Sequence, residues 1–233
     1  MSDLTLGCEQ LPRNMALNEW FVDFVPYRDK RIAYWHVTNE TEDMPKWEQI
    51  AVLYEVFNEL NFYLAKYGCH LISTSEYEKA FHGGIVVTFA KNGDKVLPMQ
   101  FPRKVMAYAL NGMIFVNDEL FWSSREGDNK SDLTYTLIHE ALHSLGLEHT
   151  KAPHDIMNPV YNPANYITSD SANGLAAKYG NEEVMTLTTA ATSNDSPRRL
   201  IQSKSPVFLF MIEAMVFIIV IALTVFAILK WGI

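Results

Sequence analysis

"HEALHSLGLEH", residues 139–149, gathers three of the chain's 7 histidines and two glutamates, Glu140 and Glu148, in eleven positions. It closes the segment "SDLTYTLIHEALHSL" (131–145), in which Leu133, Leu137, Ile138, Ala141, Leu142 and Leu145 recur at helical intervals. Ser131 or Asp132 is the expected N-cap and Gly146 the expected stop. In such a helix His139 and His143 stand one turn apart on one face, so two imidazoles can grip a single ion. Glu140 lies about 100° further round, out of place as a ligand but able to reach a water on the metal. A catalytic zinc needs a third protein ligand and an open fourth position. Gly146 lets the chain turn, so that His149 returns to the ion from outside the helix. A bare HExxH arises often by chance; the glycine and the third histidine at fixed offsets make coincidence much rarer. A purely structural zinc is disfavoured, because those sites are closed by four side chains, usually with cysteines.

Working outward, "RIAYWHV" (31–37) reads as a strand bounded by charge and by "TNETED". "MPKWEQIAVLYEVFNELNFYLAKYG" (44–68) sets Trp47, Ile50, Val52, Leu53, Val56, Phe57, Leu60 and Leu64 at three- and four-residue steps. That spacing predicts an amphipathic helix with Pro45 in its first turn and Gly68 at its end. "CHLIS" (69–73) and "GIVVTFA" (84–90) read as strands, the second apolar throughout and suited to a sheet centre. "KVMAYAL" (104–110) and "GMIFVN" (112–117) pair around Asn111-Gly112, a tight-turn dipeptide. "SSREGDNKS" (123–131) is a loop, and "TSDSANGLAAK" (168–178) a last helix. The expected fold is therefore α/β (α+β): a twisted mixed sheet with three helices over residues 30–180, after an N-terminal segment, 1–29.

The chain of 233 residues is 48% apolar and 20% charged, enough to bury a real core. Its formal charge of −8 argues against a nucleic-acid partner, which calls for a basic stripe. Two cysteines, Cys8 and Cys69, leave room for one disulfide and fit a reducing compartment at least as well. "MSDLTLGCEQLPRN" has neither a basic region nor an apolar run, so a cleaved signal peptide is not expected. Residues 181–206 are rich in Ser and Thr without a period and read as a linker. Residues 207–229, "VFLFMIEAMVFIIVIALTVFAIL", carry a single charge, Glu213. As a helix they reach roughly 34 Å, enough to cross a hydrocarbon core of about 30 Å. Arg198, Arg199 and Lys204 precede this stretch and only Lys230 follows it. The charge rule then expects a tail-anchored, single-pass membrane protein with the folded unit on the cytoplasmic side. The sequons at Asn39, Asn129 and Asn194 would point the other way if glycosylated.

HExxHxxGxxH is the zinc pattern of the metzincin metallopeptidases, and residues 139–149 resemble it at every fixed position. "HDIMNPVY" (154–161) is similar to the turn that places a methionine, here Met157, beneath the zinc. Within the metzincins the chain resembles the matrixins, the matrix-metalloproteinase-like catalytic domains, over about 30–180. Thr150 stands where matrixins carry a serine, and "NGMIFVNDELFW" (111–122) and "SDSANGLAAKYG" (169–180) resemble their acidic turn and closing helix. The resemblance implies zinc held by His139, His143 and His149, with Glu140 as the catalytic base. It also implies a specificity-pocket wall at Pro159 and Tyr161, and substrate lying as an extended strand along Val105–Leu110. Asp118 and Glu119 match the family's calcium-binding turn, although two adjacent acids are more often simply a solvated turn. Cys8 could act as an inhibitory thiol on the zinc or be an ordinary free cysteine, since "LGCEQLPRN" lacks most of the family's pro-segment pattern. Pro159 stands where other metzincins have a zinc-binding tyrosine, and Tyr108 where the matrixin structural-zinc loop has a histidine, so neither feature is expected. His36, His70, His82 and His154 have no ligand spacing.

The expected function is that of a membrane-anchored zinc endopeptidase acting on peptide or protein. The alternative is a membrane-anchored structural or binding protein that keeps the same fold without turnover.

Overall fold

The strand read at 31–37 forms as β2, Lys30–Val37, and the sheet is built on its two edges. A computed structural model describes residues 22–28, 30–102, 105–124, 131–162 and 164–180. β3, Cys69–Ser73, pairs parallel with Arg31–Trp35 along one edge of β2. Because that pairing overlaps at Arg31, Ile32 and Trp35, the partners of those same residues must take the opposite edge. There β1, Val25–Tyr27, runs antiparallel against Lys30–Ile32, and β4, Ile85–Ala90, runs parallel against Trp35–Val37. β4 continues parallel to β6, Met113–Asn117, and β6 pairs antiparallel with β5, Ala107–Leu110. The sheet is mixed. β4 is buried at every position, as its unbroken apolar run requires of a central strand.

The β5–β6 hairpin turns at Asn111 (φ 53°) and Gly112 (φ 75°), both left-handed. Two positive φ values are the signature of the turn whose twist matches paired strands, and Asn-Gly is the pair that adopts it at least cost. This places Ala107–Leu110 at the margin of the sheet, with no strand on its other side among the described residues.

α1, Lys46–Leu64, starts after Pro45 and is extended by a 3-10 turn, Ala65–Tyr67, up to Gly68. Val52, Leu53, Val56, Phe57, Leu60 and Leu64 are buried as expected, and Trp35 stacks on Phe57 at 4.4 Å. Trp47 and Ile50 are not: both are exposed, and Gln49 is buried in their place. Its amide is tied to the backbone of Thr41 and Met44, which offsets the cost of burying it. A fourth helix, α2, Tyr77–Phe81, corrects the expectation of three. Five residues are too few to show a helical period. Two short strands, β7 (Trp122–Ser123) and β8 (Ser131–Asp132), flank the loop read at 123–131.

α3, Leu133–Ser144, begins after Asp132, whose carboxylate accepts the Tyr135 N–H at 2.9 Å. It packs against α1, β5 and β6, and most of its residues are buried on every face. α4, Ser169–Tyr179, is capped by Thr168 and packs on α1. Residues 207–229 and Cys8 lie outside the described residues. Among the described residues no helix is long and apolar enough to cross a membrane.

Candidate metal centre

α3 carries His139 and His143 on one face, and its end brings in His149. Gly146 (φ 87°) donates to His143 O at 2.8 Å while the Leu147 N–H reaches back to Leu142 O at 3.0 Å. This pair of bonds is the Schellman stop, and a residue with a Cβ at Gly146 would be strained there. The stop also aims the Leu147 carbonyl at His143 Nδ1, 2.8 Å away. His139 Nδ1 is 2.6 Å from the Ile156 carbonyl. A carbonyl oxygen only accepts, so both Nδ1 atoms carry hydrogen and both Nε2 atoms of the neutral rings are bare lone pairs.

Those Nε2 atoms converge with that of His149. The separations are 3.1 Å for His139–His143, 3.1 Å for His143–His149 and 3.2 Å for His139–His149. Neither His139 nor His143 can donate to the other, so their approach is repulsive unless a cation lies between the nitrogens. Tetrahedral zinc with Zn–N bonds of 2.0–2.1 Å holds its ligand nitrogens about 3.3 Å apart, and the triangle fits that ion. Burial is the main reason that all three imidazoles resist protonation. His143, also repelled by His149, falls to about 4, His139 falls well below its ordinary value, and His149 falls less. The rings are thus neutral at pH 7, the form a metal takes. Glu140 is buried on the same helix at 1% exposure.

The turn holding Met157 positions two of the three rings. Met157 is buried, its carbonyl accepts the Thr150 N–H at 3.0 Å beside His149, and its neighbour Ile156 serves His139. A small cavity beside His139 is lined by Met106, Tyr135, Thr136, Asn158, Pro159 and Tyr161. Sequence reading singled out only Pro159 and Tyr161 there. Tyr135, edge-on to Tyr161 at 4.8 Å, was within reach of helical geometry, since it lies one turn before His139. Met106 and Asn158 gave no local signal.

Asp118 and Glu119 do not gather with a third acidic, histidine or cysteine side chain among the described residues. Asp118 Oδ2 is 3.7 Å from the Lys91 ammonium, and Glu119 Oε2 accepts from Asn92 at 3.1 Å. The other Asp118 oxygen, Oδ1, is buried with no hydrogen-bond partner among the described residues, so one oxygen of the pair is left for a cation such as calcium. Tyr108 is packed between Phe101 and Phe115, each 5.2 Å away, in an apolar cluster with Leu97 and Val105. Its hydroxyl donates to Met99 O at 2.9 Å, and burial pushes its pKa up to about 12. That position is core.

The matrixin family profile matches residues 27–180. Equine stromelysin-1 is 27% identical over 173 residues, 67% of this chain and 33% of the relative. Mouse matrix metalloproteinase-25 is 36% identical over 80 residues, 31% of this chain and 13% of the relative. The chain therefore spans a third or less of the length of these curated relatives. With the profile covering most of the chain and the histidine triad inside it, the chain belongs to the matrixin family.

Proposed function

We infer that this protein is a zinc-dependent endopeptidase, and the observation that carries the reading is the convergence of three Nε2 atoms at 3.1–3.2 Å. Zinc on His139, His143 and His149 would supply Lewis acidity, bringing the pKa of a water toward neutrality and polarising the scissile carbonyl. Glu140 acts as the base: its carboxylate takes the proton released as water attacks the peptide carbon and gives it to the leaving nitrogen. The edge of β5, which no strand covers among the described residues, offers backbone groups to an extended substrate, which joins the sheet as one more strand. The cavity walled by Pro159 and Tyr161 takes a side chain next to the scissile bond, and its lining by Met106 and two tyrosine rings suits an apolar one.

The test is cleavage of a mixed peptide library by the full chain in detergent, with and without a zinc chelator. We expect one zinc per chain by elemental analysis, cleavage lost on chelation, and recovery on adding zinc. Zinc without cleavage would support the turnover-free reading instead. We further propose that residues 207–229 anchor the chain in a bilayer with the peptidase domain on the cytoplasmic side, on the strength of their apolar run and flanking charges. In a cell-expressed sample the chain should resist carbonate extraction and carry no glycan at Asn39, Asn129 or Asn194. Glycans there would reverse the orientation.

A further inference from the structure

The geometry points to Asp155 as the residue that positions His139, acting through the turn rather than on the ion. Asp155 is fully buried. Its carboxylate accepts from the Met157 N–H at 2.7 Å, the Ser171 hydroxyl at 2.6 Å, the Ser171 N–H at 3.3 Å and the Thr168 hydroxyl. A buried carboxylate is costly unless its oxygens are satisfied, and four donors satisfy both. The donors come from two places: the turn itself, and the first turn of α4, whose N-terminal end favours negative charge. A second strap runs alongside, with Ile156 N–H on Tyr166 O at 2.8 Å and Tyr166 N–H on His154 O at 3.1 Å.

Ile156 sits between these two ties, and its carbonyl is the acceptor for His139 Nδ1. Where that carbonyl points sets the tautomer and tilt of the imidazole, and so the direction of the Nε2 lone pair. Asparagine cannot replace the acid here. With its oxygen toward Met157, its amide hydrogens meet the Ser171 N–H; reversed, they meet the Met157 N–H. Either way two donors face each other.

This assignment rests on the three histidines being a zinc site. The test measures zinc affinity by chelator competition, the visible spectrum of the cobalt-substituted protein, and thermal unfolding of the zinc-free protein. These are compared for the full-length wild type, Asp155→Asn and Ser171→Ala. Outer partners of metal-bound histidines typically change affinity by about 10- to 100-fold. Asp155→Asn is expected to weaken zinc within that range and to alter the cobalt spectrum, while the zinc-free protein still unfolds cooperatively. Ser171→Ala, which removes one hydroxyl donor, should move affinity the same way by a smaller factor. If Asp155→Asn does not fold, Ser171→Ala decides alone. Affinity within twofold of wild type and an unchanged cobalt spectrum, even with a lower unfolding temperature, would make Asp155 a strut only and overturn the assignment. A wild type that binds no zinc overturns the site reading as well, so the two failures are distinguishable.

Discussion

Glu140→Ala is expected to lower kcat/KM for peptide cleavage by about 10³-fold, within the 10²–10⁴ range of a positioned general base, while zinc stays at one per chain. The separation of effects follows from the helix. His139 and His143 share a face, whereas Glu140 is one residue on, about 100° round, and contributes no atom to the nitrogen triangle. Alanine keeps the helix, being the best helix former, so α3 should still deliver both imidazoles. Glu140→Gln is the sharper variant because it keeps the shape of a side chain that is only 1% exposed and removes just the proton acceptor. It should lose as much activity, equivalent to roughly 4 kcal/mol of barrier. A glutamine variant that cleaves within a few-fold of wild type would place the base elsewhere. His143→Ala provides the contrast, losing metal and activity together.

What could be read from the sequence was what the chain decides locally. His139, His143, Gly146 and His149 owe their convergence to helix pitch and one left-handed stop, and both are written in the spacing. The Asn111-Gly112 turn is likewise a two-residue decision, and it fixes β5 as the edge strand. Where distant segments decide, the reading failed or was silent. Trp47 and Ile50 fit the apolar period of α1 but face outward, because Gln49 finds backbone partners at Thr41 and Met44 and takes the buried position. Met106 and Asn158 meet across the cavity only after β5 and the methionine turn have both been placed on α3. Asp155 carries no signal in the sequence; its partners appear only when Thr168 and Ser171 arrive with α4. At the acidic pair the motif was legible but its surroundings were not: Lys91 and Asn92 approach Asp118 Oδ2 and Glu119 Oε2, while Asp118 Oδ1 is buried without a hydrogen-bond partner among the described residues.

The zinc-free protein should lose stability steeply as pH falls from about 6.5 to about 4, with a share assignable to His143. In the unfolded chain a histidine binds its proton near pH 6.5, whereas burial and His149 hold folded His143 off until about 4. Between those values the unfolded state binds more protons, so stability rises with pH and is lost as pH drops. One proton over that window is worth on the order of 3 kcal/mol, and His139, lowered for the same reason, adds in the same direction. Denaturant midpoints in the presence of chelator, taken from pH 7.5 to 4, measure the slope. Carboxylates titrating in the same range are separated by His143→Gln, which should flatten the slope by about one proton. Zinc opposes the loss, because protons and metal compete for the same Nε2 lone pairs. Saturating zinc should therefore shift the onset of unfolding to lower pH in the wild type and leave His143→Gln nearly unmoved. A slope that is the same in both proteins would mean that the buried imidazoles are not what acid attacks.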